Sequence, residues 1–156
     1  MKYKILKLRK EDEDKFWELS RKTFFESLSS SDFVSKEFHD RVFEEIKNKY
    51  SLWRKRNHIF CAKDEMGNYL GHIWFAELKN QMTGNSMLFI YDISVIDEAK
   101  GTGVAQSLMN ICENYAREHG FKRICLRVVE HNKRARAFYE KLSFRYKEYI
   151  MERIVD

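Results

Sequence analysis

MLFIYDISVIDEAKGTGVAQSLMNICENYAREH, residues 87–119, opens as an apolar strand, passes through a turn with two glycines and closes as a helix. Val104, Leu108, Ile111, Cys112, Tyr115 and Ala116 recur on one helical face. Gly120 stands where a C-terminal cap belongs. Strand, turn and helix start together aim unpaired backbone N–H groups into one concavity, and the helix dipole favours an anion there. The turn Lys100-Gly101-Thr102-Gly103-Val104-Ala105-Gln106 is therefore expected to take a phosphate. Two other phosphate loops are excluded. The chain lacks the Gly-Lys-Ser/Thr end of the G-x-x-x-x-G-K-[ST] loop, and Gln106 occupies the third glycine position of the dinucleotide fingerprint. A tight turn with no ligand is the plain alternative.

Outward from this segment the pattern is regular. On the C-terminal side come a strand at 123–129, a helix from Lys133 to Leu142 and a last strand from Phe144. On the N-terminal side, residues 3–8 have strand composition, and the acidic run 11–14 leads into a helix with Phe16, Ser20, Thr23 and Phe24 on one face. A second amphipathic helix follows the polar break 29–32, with Val34, Phe38, Val42, Ile46, Tyr50 and Trp53 as its apolar face. HIFCAK, YLGHIWFAE and MLFIYDISV, separated by polar turns, read as an antiparallel meander. The expected fold is α/β (α+β): a mixed central sheet with helices on both faces, in the order βααβββαβαβ. With 156 residues, 44% of them hydrophobic, and no repeat or linker, the chain is expected to form one domain, 1–156.

Composition narrows the function classes. Cys61, Cys112 and Cys125 form no C-x-x-C, and the five histidines show no ligand spacing, so neither a disulfide framework nor a metal site is expected. There is no apolar signal core and no run long enough to span a membrane, so a soluble protein of a reducing cytoplasm is expected. Proline is absent, which excludes polyproline linkers and slow X-Pro isomerisation. The net charge of +5 is unevenly placed: residues 120–148 hold nine Lys/Arg against three Asp/Glu, whereas residues 11–45 hold eleven carboxylates against five Lys/Arg. No helix-turn-helix, zinc or RNA-recognition motif accompanies the basic segment, so no nucleic-acid partner is expected.

A second block, Asn132 to Phe144, follows the strand ICLRVVEH. With both blocks in view, the chain resembles the GCN5-related N-acetyltransferases. Lys100, Gly103 and Ala105 fall on that family's glycine loop [Q/R]-x-x-G-x-[G/A], with Lys in place of Gln or Arg. Asn132, Ala135, Phe138, Tyr139 and Phe144 fall on N-x-x-A-x-x-F-Y-x-x-x-G-F, with Ser143 in place of Gly. The resemblance covers about residues 87–147 and implies the acyl-CoA N-acyltransferase fold, with acetyl-coenzyme A as donor.

By this resemblance, backbone groups of Ile93, Ser94 and Val95 would meet the pantetheine, and those of Lys100, Gly101, Thr102, Gly103, Val104, Ala105 and Gln106 the pyrophosphate. Asn132 and Phe138 would flank the cofactor, and Lys133, Arg134 and Arg136 are candidates for its 3′-phosphate. The reaction is direct attack of a primary amine on the thioester, which needs a polarised carbonyl, an acceptor for the ammonium proton and a donor for the thiolate. The family position for the thiolate donor falls on Tyr139, whose alternative role is a core aromatic beside Phe138. Asp92, a carboxylate inside an apolar strand, is the leading base candidate, with Glu77, Glu130 and His72 behind it; its alternative role is a buried Asp bonded to neighbours.

Two departures and one match shape the acceptor reading. Arg127 stands where ribosomal-protein N-terminal acetyltransferases carry a glutamate, and Val128, Glu130 and Asn132 match the V-x-E-x-N of polyamine-acting members. Only about a dozen residues follow Phe144, too few for the family's full closing hairpin, so the acceptor pocket is expected to be open or completed by a second subunit in a homodimer. The acidic helices suit a small cationic amine. A protein or peptide amine, or a coenzyme-A-binding module without transfer, is the alternative.

Overall fold

The computed structural model describes residues 1–156. Its five strands are β1 (Tyr3–Lys7), β2 (Asn57–Asp64), β3 (Tyr69–Lys79), β4 (Ser86–Val95) and β5 (Ile124–Leu126). The helices are α1 (Glu13–Ser27), α2 (Lys36–Lys49), α3 (Val104–His119) and α4 (Lys133–Lys141). The strands form one sheet in chain order, antiparallel from β1 to β4, with β5 parallel to β4. A parallel neighbour needs a crossover, and α3 supplies it. The β2–β3 turn is closed by Asp64, whose carboxylate accepts the N–H groups of Met66 and Asn68, both at 2.9 Å.

The sheet carries a core on each face. On one side Ile73, Phe75, Leu88 and Ile90 pack with Val104, Leu108, Met109 and Cys112 of α3. On the other, Ile59, Cys61, Tyr69 and Trp74 pack with Phe16, Trp17 and Leu19 of α1 and Phe43 of α2. Strand alternation should keep each residue parity of β4 on one face, but the strand breaks that rule. Trp74 opposes Asp92 and Phe75 opposes Ile90, which leaves Tyr91 as the extra residue of a β-bulge. Before the bulge Leu88 and Ile90 face α3; beyond it Ile93 and Val95 do, and Asp92 and Ser94 turn toward α1.

Three sequence expectations are corrected. Phe38, Val42, Ile46, Tyr50 and Trp53 remain exposed and Val34 is only half-buried; the one buried residue of α2 is Phe43. Its ring meets those of Trp17 and Phe24 at 5.8 and 5.9 Å, and those two aromatic partners on α1 select the docked face. Next, β5 is three residues long rather than seven. Finally, no strand forms after Phe144, so the order is βααβββαβα. Ser143 turns the chain at φ 66°, and Tyr146 is then held on α4, its hydroxyl bonded to Arg136 Nε at 2.8 Å and to Glu140 at 2.5 Å.

Gly71, opposite Val95, leaves no room for a side chain. A Cβ there would lie 2.5 Å from the Ser94 carbonyl oxygen and 2.8 Å from a Val95 methyl. Gly71→Ala is expected to destabilise the chain by about 2–3 kcal/mol in urea unfolding, an overpacking cost made worse because the obstacle is backbone; an unchanged midpoint would show that β3 and β4 can separate without cost.

Candidate functional site

The site begins where β4 and β5 part. Their pairing runs through Leu88–Ile124, Phe89–Cys125 and Ile90–Leu126 and then stops. From Tyr91 onward the β4 edge has no strand beside it, while the opposite edge stays paired with β3 as far as Val95. The bulge sits at this same point and rotates the strand as its second neighbour leaves. Ile93, Ser94 and Val95 therefore lie along a gap in the sheet, with main-chain groups free for a ligand.

That stretch leads into the glycine turn. Gly101 and Gly103 have φ of 77° and 90°, values an L side chain rarely adopts. The Lys100 and Thr102 N–H groups are already used, by the carbonyls of Asp97 and Ala99. This narrows the anion donors to Gly101, Gly103 and the first turn of α3, Val104, Ala105 and Gln106, where helix geometry leaves N–H groups unpaired. No side chain caps α3 and no acidic residue stands in its first turn. The turn is braced from β1, where the Tyr3 hydroxyl and Ser107 Oγ are 2.7 Å apart. Lys100 is drawn to Asp97 at 2.6 Å, and Lys22 joins them at 3.0 Å. These bonds hold the Asp97 carboxyl down at about 2.

Asp92 lies on the α1 side, buried in a closed polar network. Its Oδ2 accepts from Ser20 of α1 and lies 2.7 Å from His72 Nε2; its Oδ1 accepts from Ser94 Oγ at 2.6 Å. The other imidazole nitrogen, Nδ1, is 2.6 Å from the Tyr69 hydroxyl, and Phe16 covers the ring at 4.0 Å between centroids. Burial pushes the Asp92 carboxyl upward, but the His72 interaction and the bonds from Ser20 and Ser94 outweigh it and leave it below the usual range. A carboxylate whose oxygens already meet His72, Ser20 and Ser94 is poorly placed to take a further proton. Of Asp92's two sequence readings, this geometry is that of the buried, bonded one. Sequence reasoning did not assign side-chain roles to Ser20, Tyr69 or Ser94. The signal was present as three polar residues, His72, Asp92 and Ser94, on two adjacent apolar strands.

The second block folds as α4. Asn132 is its N-cap, the side chain accepting the Ala135 N–H at 3.2 Å. Arg134 and Lys133 are exposed. Arg136 is engaged, donating to the Glu130 carbonyl at 2.7 Å and lying over the Tyr146 ring. Phe138 and Tyr139 are half-buried against the α3-side core, with ring centroids 5.4 Å apart. The Tyr139 hydroxyl makes no hydrogen bond within the chain. Burial, with the Asp92 carboxylate adding to it, pushes its pKa up to about 12, so it keeps its proton at any working pH. Of the remaining base candidates, Glu77 accepts from Tyr115 at 3.0 Å, and Glu130 is exposed beside Arg136. No group of three or more His, Cys, Asp or Glu is placed to hold a metal ion, and no helix is long and apolar enough to cross a membrane.

The profile of the acetyltransferase (GNAT) family matches residues 14–144. The chain is similar to the uncharacterised N-acetyltransferase YdgE of Bacillus subtilis (strain 168), 25% identical over 121 residues that cover 76% of each protein. It is also similar to the uncharacterised N-acetyltransferase YycN of the same organism, 26% identical over 114 residues, 72% of this chain and 70% of that one. Among solved structures, a Pyrococcus furiosus protein provisionally described as an acetyl transferase superposes with a TM-score of 0.83 at 27% identity, covering 99% of this chain and 100% of that one. The glucosamine-6-phosphate N-acetyltransferase of Arabidopsis thaliana shares the fold at a TM-score of 0.65 and 23% identity, over 100% of both chains. A sheet parted beside an uncapped glycine turn, and a profile match from α1 to Phe144, lead to one assignment: this chain belongs to the acetyltransferase (GNAT) family.

Proposed function

We propose that this N-acetyltransferase of the GNAT type uses acetyl-coenzyme A as donor and acetylates the primary amine of a small cationic molecule by direct attack. The observation that carries the reading is the position of the β4–β5 gap, which leads along Ile93–Val95 into the free N–H groups of Gly101, Gly103 and Val104–Gln106. An extended thiol arm ending in a pyrophosphate has that shape: a linear section that pairs with a strand edge, then an anion at a helix start. Exposed Lys133 and Arg134 suit a further phosphate, whereas Asn132 is occupied in capping α4 and Arg136 is held by the Glu130 carbonyl and the Tyr146 hydroxyl. When bound, the donor supplies an activated acyl group. A main-chain N–H near Ile93 would polarise its carbonyl; as the acceptor nitrogen bonds to the acyl carbon and the C–S bond breaks, Tyr139, kept protonated by burial, would give a proton to the departing thiolate, and the protons shed by the nitrogen would restore Tyr139 and pass to water.

Asp92 acts in this reading as a positioning residue. Through Ser94 it fixes β4 beside the gap, and through His72 and Ser20 it ties that strand to β3 and α1. The acceptor comes in this reading from the α1–α2 side, where a groove of about 230 Å³ is lined by Asp14, Glu18 and Glu44, by Arg21 and Lys47, and by Trp17 and Phe43. Arg21 lies 4.0 Å from Glu44, which leaves Asp14 and Glu18 as the carboxylates that would meet a cationic amine. Cys61, Cys112 and Cys125 are all free thiols, which supports a cytoplasmic location.

Acetyl-coenzyme A is expected to raise the thermal midpoint, and thiol release is expected with polyamines above amino acids and peptides. No shift with the donor would overturn the reading, and a shift without release from any amine would favour a binding module. Tyr139→Phe should slow turnover by about a hundredfold or more while leaving donor affinity within about twofold, because it removes a proton and almost no contact area; unchanged turnover takes Tyr139 out of the chemistry. Asp92→Asn should cost about 3 kcal/mol of stability at neutral pH and leave the pH–rate profile unshifted. The depressed carboxyl contributes stability above about pH 4 that is lost as pH falls, so the variant should also lose that acid limb. A shifted rate profile would instead make Asp92 the base.

A further inference from the structure

The turn that joins β3 to β4, residues 80–85, folds on its own polar groups. Asn80 Oδ1 accepts the N–H groups of Met82 and Thr83 at 2.8 and 3.0 Å, and Thr83 Oγ1 accepts that of Asn85 at 3.2 Å. The Gly84 N–H goes to the Asn80 carbonyl and the Asn80 N–H to the Asn85 carbonyl, both at 2.8 Å. Side-chain acceptors are thereby used inside the turn. What Asn80 and Thr83 still offer outward is an amide nitrogen and a hydroxyl hydrogen, both donors.

These donors meet two cations. Arg123, just before β5, and Lys147, past the end of α4, line one cleft of about 40 Å³ with Asn80, Thr83, Asn85 and Met87, and no Asp or Glu lines it. Two like charges brought to one place repel unless a counter-charge joins them. Where Lys22 and Lys100 converge, the chain supplies that counter-charge itself, in Asp97 at 3.0 and 2.6 Å. At Arg123 and Lys147 it supplies none. The cleft has room for a few waters or one oxyanion group, and not for a whole organic molecule. Two positive charges, one of them a planar fork, together with neutral donors, complement a dianionic phosphate. This is not the proposed donor site: β4 runs ten residues from Ser86 to Val95 before the glycine turn begins, which puts the two places about 30 Å apart along the strand.

We propose that the cleft between the β3–β4 turn, the start of β5 and the segment after α4 is a second anion site, which binds a phosphate group through Arg123 and Lys147 with Asn80 and Thr83 as neutral donors. The bound group neutralises the two cations and ties the segment after α4 to the end of the sheet. The phosphate comes either as the free ion or as the exposed end of a phosphorylated metabolite whose remainder lies in solvent.

The probe is inorganic phosphate, titrated into the full chain at constant ionic strength and mildly alkaline pH, with the side-chain amide signals of Asn80 and Asn85 and the methyl signal of Met87 followed by NMR. Saturable shifts are expected with phosphate, none with chloride, and an affinity at least about tenfold weaker with singly charged acetate. Arg123→Gln and Lys147→Gln should each weaken phosphate about tenfold or more; both side chains are exposed, so the variants fold as the parent does. Tighter binding of glycerol phosphate than of inorganic phosphate assigns the site to a phosphorylated metabolite, and equal or weaker binding assigns it to the free ion. No saturable shift, a shift matched by chloride or acetate, or an affinity indifferent to either substitution would overturn the site. These signals lie at the other end of β4 from the glycine turn, so the outcome is independent of the acetyl-coenzyme A reading.

Discussion

Backbone polar groups inside a sheet must be paired, and β4 meets that requirement in two different ways along its length. As far as Ile90 it is a central strand between β3 and β5. Beyond Tyr91 it keeps only β3, and its other edge opens onto a gap. A regular strand could not change partners and faces at one point without losing register with β3. The extra residue at Tyr91 allows it, because the bulge absorbs the change of direction while Ile93, Ser94 and Val95 resume pairing with β3. The stretch proposed to meet the donor, the Asp92 and Ser94 members of the polar network and the approach to α3 all lie downstream of that residue.

The network around Asp92 shows how such a strand end is held without a second neighbour. Burying a carboxylate and an imidazole is costly, and offsetting that cost requires nearly every polar atom to be bonded. Asp92 meets three partners and His72 is engaged at both ring nitrogens. The partners come from α1, β3 and β4 itself, so the bonds lost from β5 are replaced by ties through the layer beneath. Hydrophobic packing alone would hold the strand but would not fix its rotation. Directional bonds to Ser20 and Ser94 do.

Much of this was legible in the residues, for reasons that differ from element to element. The glycine turn and α3 could be read because the local chain dictates them: Gly103 and Gly120 sit at positive φ, and Val104, Leu108, Cys112 and Ala116 share one buried stripe. Asn132 was legible as important, but the visible part of its role is local, a cap on α4. The face of α2 was not legible. Its apolar residues support more than one docking angle, and the choice of Phe43 depends on aromatic rings on α1. The bulge was hidden for a related reason: MLFIYDISV is apolar at both parities up to Tyr91, so alternation carries no mark of the slip. The closing strand failed because strand composition at 149–155 says what the segment wants to bury and not where that surface is.

The bond between Tyr3 and Ser107 joins the first strand of the chain to the helix whose start forms the proposed anion site, across 104 residues. A nascent chain leaving the ribosome therefore presents β1 long before the turn it braces exists. The meander of β2 to β4 can assemble from near neighbours, with β1 joining β2 across the two intervening helices, but the sheet stays one layer short until α3 has emerged and folded back across it. Binding competence thus arrives late and all at once, as a long-range closure. A chain stalled before α3 would carry the sheet with its apolar α3-side face, Ile73, Phe75, Leu88 and Ile90, open to solvent. During synthesis that face is the surface most exposed to misassociation.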